Sequence, residues 1–116
     1  MCSSDLQMRH QQWDMGKSFD TFCPMGPWLV TADELDGTQT RVRCWVNGEQ
    51  RQEGPTQNMI FDIPTLIEYF SSFMTLNPGD VILTGTPDGV IDCQVGDVVV
   101  TSIEGIGHLQ TTMVSA

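Results

Sequence analysis

The stretch TRVRCWVNG, residues 40–48, decides the fold of this chain. Polar and apolar side chains alternate over residues 40–46, which is the period of a half-buried β-strand. Asn47 and Gly48 follow at once, and this pair is a strong signal for a two-residue hairpin turn. The stretch therefore predicts a β-hairpin whose return strand covers residues 49–52.

Downstream of the hairpin, the periodicity changes to that of a helix. Residues 57–61 still read as a short extended piece, but Asp62 can cap a helix and Pro64 is tolerated in a first turn. Apolar residues then recur on one helical stripe, namely Ile63, Leu66, Ile67, Phe70, Phe73 and Met74. The pattern predicts one amphipathic helix over about residues 63–75, ended by a turn at residues 77–80.

Further apolar runs predict strands in the second half of the chain. Residues 81–84 read as a short buried strand, and residues 98–102 and 109–114 as strands joined around residues 104–107. Strands before and after a single helix indicate an α+β fold that is mainly β.

Composition and charge limit the function classes. The chain has 116 residues, which is at most one domain, and an apolar content of 40%, which is ordinary for a globular protein. Fifteen acidic residues against five lysines and arginines give a formal charge of −10. Since phosphate binding needs clustered basic residues, we expect no nucleic-acid partner and no binding to an anionic membrane.

The sequence also lacks the usual targeting signals. No apolar run approaches the roughly 18 residues of a membrane span, and no basic and apolar leader pattern opens the chain. The four cysteines, at positions 2, 23, 44 and 93, form no CxxC pair. We therefore expect reduced thiols and a cytoplasmic location.

The segment TGTPDGV, residues 84–90, is the first candidate for chemistry. Gly85 and Gly89 permit backbone conformations that are closed to other residues and let a ligand approach the main chain. The hydroxyls of Thr84 and Thr86, with exposed backbone N–H groups, could hold a carboxylate or a phosphate. A plain turn after a strand explains the same residues, so both interpretations stay open.

The segment GKSFDTF, residues 16–22, is the second candidate and contains the only lysine of the chain, Lys17. A solvated surface lysine is one interpretation. However, the small, hydroxyl-bearing and aromatic neighbours are not those of a solvated charge run. Lys17 is also the only ammonium side chain available to neutralise an anionic ligand or a developing enolate.

These segments belong to a longer series of motifs that occur in one order. The series comprises residues 16–28, 46–49, 59–61, 78–87, 96–99 and 103–107. In order and spacing it resembles the fumarylacetoacetate hydrolase family over about residues 7–114. The resemblance implies a β-rich roll or sandwich of that family's C-terminal type and assembly as a homodimer.

The resemblance also implies an activity and a site. Family members cleave carbon–carbon bonds, decarboxylate or tautomerise small 2-oxo or diketo acids, with Mg²⁺ or Mn²⁺ stabilising an enolate. By this resemblance, Lys17 is catalytic and lies near the metal and the substrate oxygens, with Thr21 beside the metal site. Thr86 and Gly85 contact the substrate acid, and Gln7 is a further substrate-binding residue.

The chain departs from the family at its start. The family holds its metal with a Glu-x-Glu pair and an aspartate, a set of carboxylates that suits a hard divalent cation. These positions fall upstream of Gln7 and before the first residue of this sequence. We therefore expect no metal ligands and no bound metal in this chain, and no activity of the chain alone. A non-catalytic small-acid-binding or interaction module derived from the same fold is the alternative interpretation.

Two further expectations concern the truncation. Residues 1–6 do not continue the family pattern, and residues 2–6, CSSDL, match one translated frame of a common sequencing adapter. We expect residues 1–6 to be non-native, and residues 7–116 to be the C-terminal part of a single catalytic domain. If the missing part covers one face of the fold, this chain should expose apolar surface.

Overall fold

The computed structural model describes residues 13–115. This part of the chain forms two α-helices, which are α1, Trp13–Lys17, and α2, Ile63–Ser71. It also forms four β-strands, which are β1, Arg41–Val46, β2, Glu49–Pro55, β3, Val98–Ile103, and β4, Gly107–Thr112. Short 3₁₀ turns at Gly37–Gln39 and Thr56–Asn58 flank the first hairpin.

The four strands form one antiparallel sheet in the order β2-β1-β3-β4. Strand β1 is central, with Val42 opposite Ile103 of β3 and Cys44 opposite Thr101. The β1–β2 register shifts between Cys44 and Trp45, which marks a local bulge. A mainly-β α+β fold with one amphipathic helix was expected from the sequence, and this fold class is confirmed.

The predicted hairpin turn is confirmed at Asn47 and Gly48, whose φ angles are 52° and 82°. Two consecutive positive φ angles match the twist of antiparallel strands in a two-residue loop. The Asn47 side chain also joins this turn to the start of β3. Its Nδ2 donates to Asp97 Oδ1 at 2.8 Å, and its Oδ1 accepts from the Val98 N–H at 2.9 Å. The return strand is longer than expected and continues to Pro55.

Helix α2 begins where the sequence predicts. The Asp62 carboxylate accepts from the Thr65 N–H at 2.8 Å and caps the helix. The helix ends at Ser71, earlier than the expected residue 75. Ser71 Oγ donates to the Glu68 carbonyl at 3.1 Å, and Ser72 Oγ donates to the Tyr69 carbonyl at 2.7 Å. Such local side-chain bonds to backbone carbonyls compete with the helical pattern at this end of α2.

Two predictions of extended segments, at residues 57–61 and 81–84, are wrong. Residues 57–58 lie in the 3₁₀ turn Thr56–Asn58, and residues 81–84 form no strand. Val81 and Leu83 are 55% and 64% exposed, whereas a buried strand was expected. An apolar run needs a neighbouring strand to complete its hydrogen bonds, and none of the described strands pairs with this run. The short helix α1 was not foreseen.

Little of the apolar side-chain surface is buried within the described residues. Val46, at 6% exposure, is the buried hydrophobic residue of this part of the chain. The large apolar residues that remain exposed include Trp28, Leu29, Ile60, Phe61, Ile67, Phe73, Val81, Leu83 and Val90. This confirms the expectation that the chain exposes apolar surface. None of the helices described here is long and apolar enough to cross a membrane.

Candidate functional site

The loop of residues 84–90 is attached to strand β2 through one side chain. Gln52 Nε2 donates to Thr86 Oγ1 at 2.8 Å and to the Pro87 carbonyl at 2.6 Å. Gln52 is half-buried and lies opposite Cys44 of the central strand β1. The position of the Thr86 hydroxyl is therefore set by the sheet.

Two glycines let the loop lie close against β2. A Cβ on Gly54 of β2 would lie 2.9 Å from Pro87 Cγ. A Cβ on Gly89 would lie 1.9 Å from the Arg51 carbonyl oxygen, a distance that no real Cβ tolerates. Gly89 also has a φ of +98°, a region that favours glycine. Gly89 requires glycine because its backbone approaches that of Arg51, and Gly54 leaves room for the Pro87 ring.

The outer side of the loop is open. Thr86 and Gly85 are exposed, and a Cβ built on Gly85 would meet no atom within 4 Å. An incoming ligand can therefore reach both the Thr86 hydroxyl and the Gly85 backbone. Gly85 and Thr86 are neighbours in the sequence, and the structure places both at one accessible surface.

The second candidate segment follows the short helix α1. Lys17 is the last residue of α1, and it is exposed. Ser18 Oγ donates to the Asp14 carbonyl at 2.5 Å, and the Phe22 N–H donates to the Phe19 carbonyl at 3.1 Å. This turn holds Thr21 at a φ of 69°. A β-branched residue in this region is uncommon, and such backbone strain is concentrated at functional sites.

The other predicted positions fall outside the described residues. Gln7 lies there, as do residues 1–6. No group of three His, Cys, Asp or Glu side chains within residues 13–115 is placed to hold a metal ion. The side chains of this part of the chain therefore do not fit the three-carboxylate ligand set that a hard divalent cation prefers.

Several carboxylates of the described residues act in turns and caps instead. The pKa of Asp97 is lowered, first by the hydrogen bond from the Gln94 N–H and then by the Asn47 amide. The pKa of Asp62 is lowered by the hydroxyl and the N–H of Thr65. These shifts arise from hydrogen bonds at exposed positions and mark structural carboxylates.

The ionised pair beside Gln52 is also structural. Arg41 Nη1 lies 2.7 Å from Glu53 Oε1, and Gln50 Nε2 donates to Glu53 Oε2 at 2.8 Å. The pKa of Glu53 is lowered mainly by the bond from Arg41 and next by that from Gln50. Burial raises the pKa of the Cys44 thiol, which disfavours a reactive thiolate at that position.

Gln52 is the residue of the candidate site that the sequence analysis missed. A glutamine in a predicted strand carries no motif of its own. The available signal was Gly54, which lies two residues further along the same face of β2. A glycine inside a strand marks the close approach of another backbone. The partner of that approach, residues 84–90, is distant in sequence and could not be inferred.

A shallow cavity of about 260 Å³ lies elsewhere, between the loop of residues 24–28 and the β3–β4 hairpin. Its lining includes Met25, Trp28, Thr101 and His108. It contains none of the site residues predicted from the sequence.

Comparison with known proteins gives a consistent result. The family model described as fumarylacetoacetate (FAA) hydrolase C-terminal matches residues 1–114. The fumarylacetoacetate hydrolase of Exiguobacterium antarcticum superposes with a TM-score of 0.92 at 47% identity, covering 99% of this chain and 44% of that one. The 5-carboxymethyl-2-hydroxymuconate delta-isomerase of Mycobacterium smegmatis gives a TM-score of 0.90 at 47% identity, covering 97% and 44%.

A third similar structure contains a metal and a small acid. The maleylpyruvate hydrolase of Sphingobium sp. SYK-6, solved with manganese(II) ion and pyruvate, gives a TM-score of 0.83 at 42% identity. The match covers 86% of this chain and 38% of that one. The chain spans about half the length of the curated relatives it matches, from 44% to 50% for relatives that are 50% to 52% identical.

Proposed function

The chain belongs to the fumarylacetoacetate hydrolase family, and we propose that it is the C-terminal part of the catalytic domain of an enzyme for small 2-oxo or diketo acids. Its structural neighbours are named as hydrolases and isomerases of the muconate and maleylpyruvate type. The proposed reaction is carbon–carbon bond hydrolysis, decarboxylation or keto-enol isomerisation through an enolate. The same resemblance supports a cytoplasmic homodimer.

One observation carries this proposal, namely the open loop at Gly85 and Thr86. The Thr86 hydroxyl is fixed by Gln52 and is accessible from outside, next to a glycine with no obstructing neighbour. A hydroxyl and a free backbone approach suit the oxygens of a carboxylate. We assign the acid end of the substrate to this loop, with Gln7 as a second substrate-binding residue.

We assign charge stabilisation to Lys17. Its ammonium is a compact point charge, and it can stabilise the negative oxygen that develops when an enolate forms. Thr21, held at positive φ in the following turn, is proposed to lie beside the metal site. Lys17 is the only lysine of the chain, so no other ammonium side chain of residues 1–116 can replace it.

The proposed enzyme depends on Mn²⁺ or Mg²⁺. The presence of manganese(II) and pyruvate in the maleylpyruvate hydrolase structure supports a divalent cation in this family. Residues 13–115 offer no three-ligand group, so we propose that the carboxylate ligands come from a part of the enzyme other than this chain. On this proposal the 116-residue chain alone binds no Mn²⁺ and is inactive.

Complementation tests this proposal. The chain is assayed with oxaloacetate and an acylpyruvate in the presence of Mn²⁺, first alone and then fused behind the preceding half of the Mycobacterium smegmatis isomerase. We expect turnover from the fusion only, and its loss in Lys17→Met and Thr86→Val. Gln50→Ala, which alters only the exposed bond to Glu53, is the matched control and should retain activity.

Two results would contradict the proposal. Mn²⁺-dependent turnover by the chain alone would refute its inactivity. A fusion that folds and binds Mn²⁺ in calorimetry with oxalate, but turns over no 2-oxo acid, would refute the enzymatic function and favour a non-catalytic small-acid-binding module.

A further inference from the structure

We propose that Gln52 is a positioning residue that fixes the polarity of the Thr86 hydroxyl, so that its proton is available to a carboxylate on the ligand. The inference deepens the proposed function and rests on it. It concerns a residue of strand β2 that is distant in sequence from both candidate segments.

The hydrogen-bond chemistry determines which end of the Gln52 amide faces the loop. The Pro87 carbonyl oxygen can only accept a hydrogen bond, so the group 2.6 Å from it must be the amide nitrogen. The same nitrogen lies 2.8 Å from Thr86 Oγ1. An NH₂ group has two protons, one for each of these oxygens. Thr86 Oγ1 is therefore the acceptor in its contact with Gln52.

The ligand chemistry follows from this assignment. A hydroxyl that accepts from nitrogen keeps its own proton for a second partner. Because Thr86 is exposed, that partner can come from outside the chain. An ionised carboxylate offers only acceptor oxygens, and hydrogen bonds to a charged acceptor are about twice as strong as neutral ones. The Gln52–Thr86 pair thus favours a carboxylate over a ligand that presents only N–H donors.

The surrounding structure keeps Gln52 in this orientation. Its strand is paired with the central strand β1, and Gly54 and Gly89 allow the loop to approach to hydrogen-bond distance. Residues 81–84 before the loop belong to no strand. The two bonds from Gln52 therefore connect a loop without sheet pairing to the paired sheet, which is the role of a positioning residue.

The experiment measures the loop and the ligand separately, by NMR of the full chain below the concentration at which it self-associates. The reporters are the side-chain NH₂ signals of Gln52 and the methyl signal of Thr86, and the probe is pyruvate. The variants are Gln52→Ala, Gln52→Glu and Thr86→Val, and the matched control on the same strand is Gln50→Ala.

We expect graded losses of pyruvate affinity. Gln52→Ala should shift the Thr86 methyl signal and weaken pyruvate binding about 3- to 10-fold, the effect of one lost neutral hydrogen bond. Gln52→Glu should weaken it more than about 10-fold, because a carboxylate accepts the Thr86 proton and repels the ligand. Thr86→Val should also lose about 10-fold or more. Gln50→Ala should stay within about twofold.

Other results would overturn the inference. An unchanged Thr86 signal in Gln52→Ala would show that Gln52 does not position the hydroxyl. A Gln52→Glu variant that binds pyruvate as well as Gln52→Ala would show that the proton direction is irrelevant and that the role is only structural. If the parent chain binds no pyruvate although its Thr86 signal responds to Gln52→Ala, Gln52 positions the hydroxyl but the carboxylate part of the inference fails. The proposed enzymatic function is tested separately, by turnover of the fusion.

Discussion

The sheet and the segment between β2 and β3, residues 56–97, use apolar residues in opposite ways. In the sheet, each strand pairs with at least one neighbour, and Val46 is only 6% exposed. In the segment, Ile60 is 92% exposed and Val90 is 63% exposed. The sheet buries part of its apolar surface within the chain, whereas these apolar side chains of the segment stay exposed.

The two regions differ in the interactions that hold them in place. The sheet is ordered by backbone pairing, which needs only the chain itself. The segment contains helix α2, which Asp62 caps, and its loop at residues 84–90 contacts the sheet through Gln52. The candidate substrate loop therefore belongs to the weakly supported region but is fixed where it meets the sheet.

The largest effect is expected where the two regions touch. Gly89→Ala places a Cβ 1.9 Å from the Arg51 carbonyl oxygen at a φ of +98°. Strain at positive φ and overlap with backbone atoms together should lower the free energy of unfolding by about 3 kcal/mol. Urea denaturation measures this loss.

A matched glycine separates the two causes. Gly96 has a φ of +96°, but a Cβ there would meet nothing within 4 Å. Gly96→Ala should therefore lose only the conformational part, about 1 to 2 kcal/mol. Equal losses of unfolding free energy in the two variants would mean that the loop does not lie against β2, which would contradict the contact between the two regions.

The next effect concerns the interior of the sheet. Val46→Ala removes two methyl groups from a side chain that is 6% exposed, and it should lower the free energy of unfolding by about 2 kcal/mol. The same change at Val114, which is 73% exposed, should cost less than about 0.5 kcal/mol. Thermal and urea unfolding of both variants provide the measurement. A loss at Val114 as large as that at Val46 would contradict the assignment of the core.

A smaller effect is expected at the junction of the segment and β3, where Asp97 should make the stability depend on pH. The pKa of Asp97 lies below its ordinary 3.8, first because of the Gln94 N–H and then because of Asn47. Since the folded pKa is below the unfolded one, the stabilisation is complete well above pH 3.8 and is lost progressively as the pH falls past 3.8 and through the folded value. Asp97→Asn should therefore flatten the fall in stability between about pH 5 and pH 3.

The neighbouring glutamine is the control for this measurement. Gln94 donates through its backbone N–H, so Gln94→Ala keeps the donor and should keep the pH dependence of the parent. A parent-like acid slope in Asp97→Asn would show that this carboxylate does not stabilise the junction.

The same contrast explains what could be predicted from the sequence. The hairpin at Asn47 and the helix cap at Asp62 depend on neighbouring residues, and both are confirmed. The strand at residues 81–84 depends on a partner that the described chain does not supply, and that prediction is wrong. Gln52 acts through tertiary register, which no local pattern encodes. Lys17 and Thr86 were candidates from their own segments, and the roles that the motif series implies for them stay predictions.

The smallest effect on stability is expected inside the segment itself, at an exposed apolar side chain. Leu83 is 64% exposed, so Leu83→Ser should change the free energy of unfolding by less than about 0.5 kcal/mol.

The same substitution should reduce self-association in sedimentation velocity, because exposed apolar surface drives contacts between copies. Ala32→Ser adds a hydroxyl at an exposed position without removing a large apolar side chain, so it is the matched control and should leave self-association unchanged. A loss of about 2 kcal/mol at Leu83 would place this side chain in a packed interior. Residues 81–84 would then behave as the buried strand that their sequence predicts.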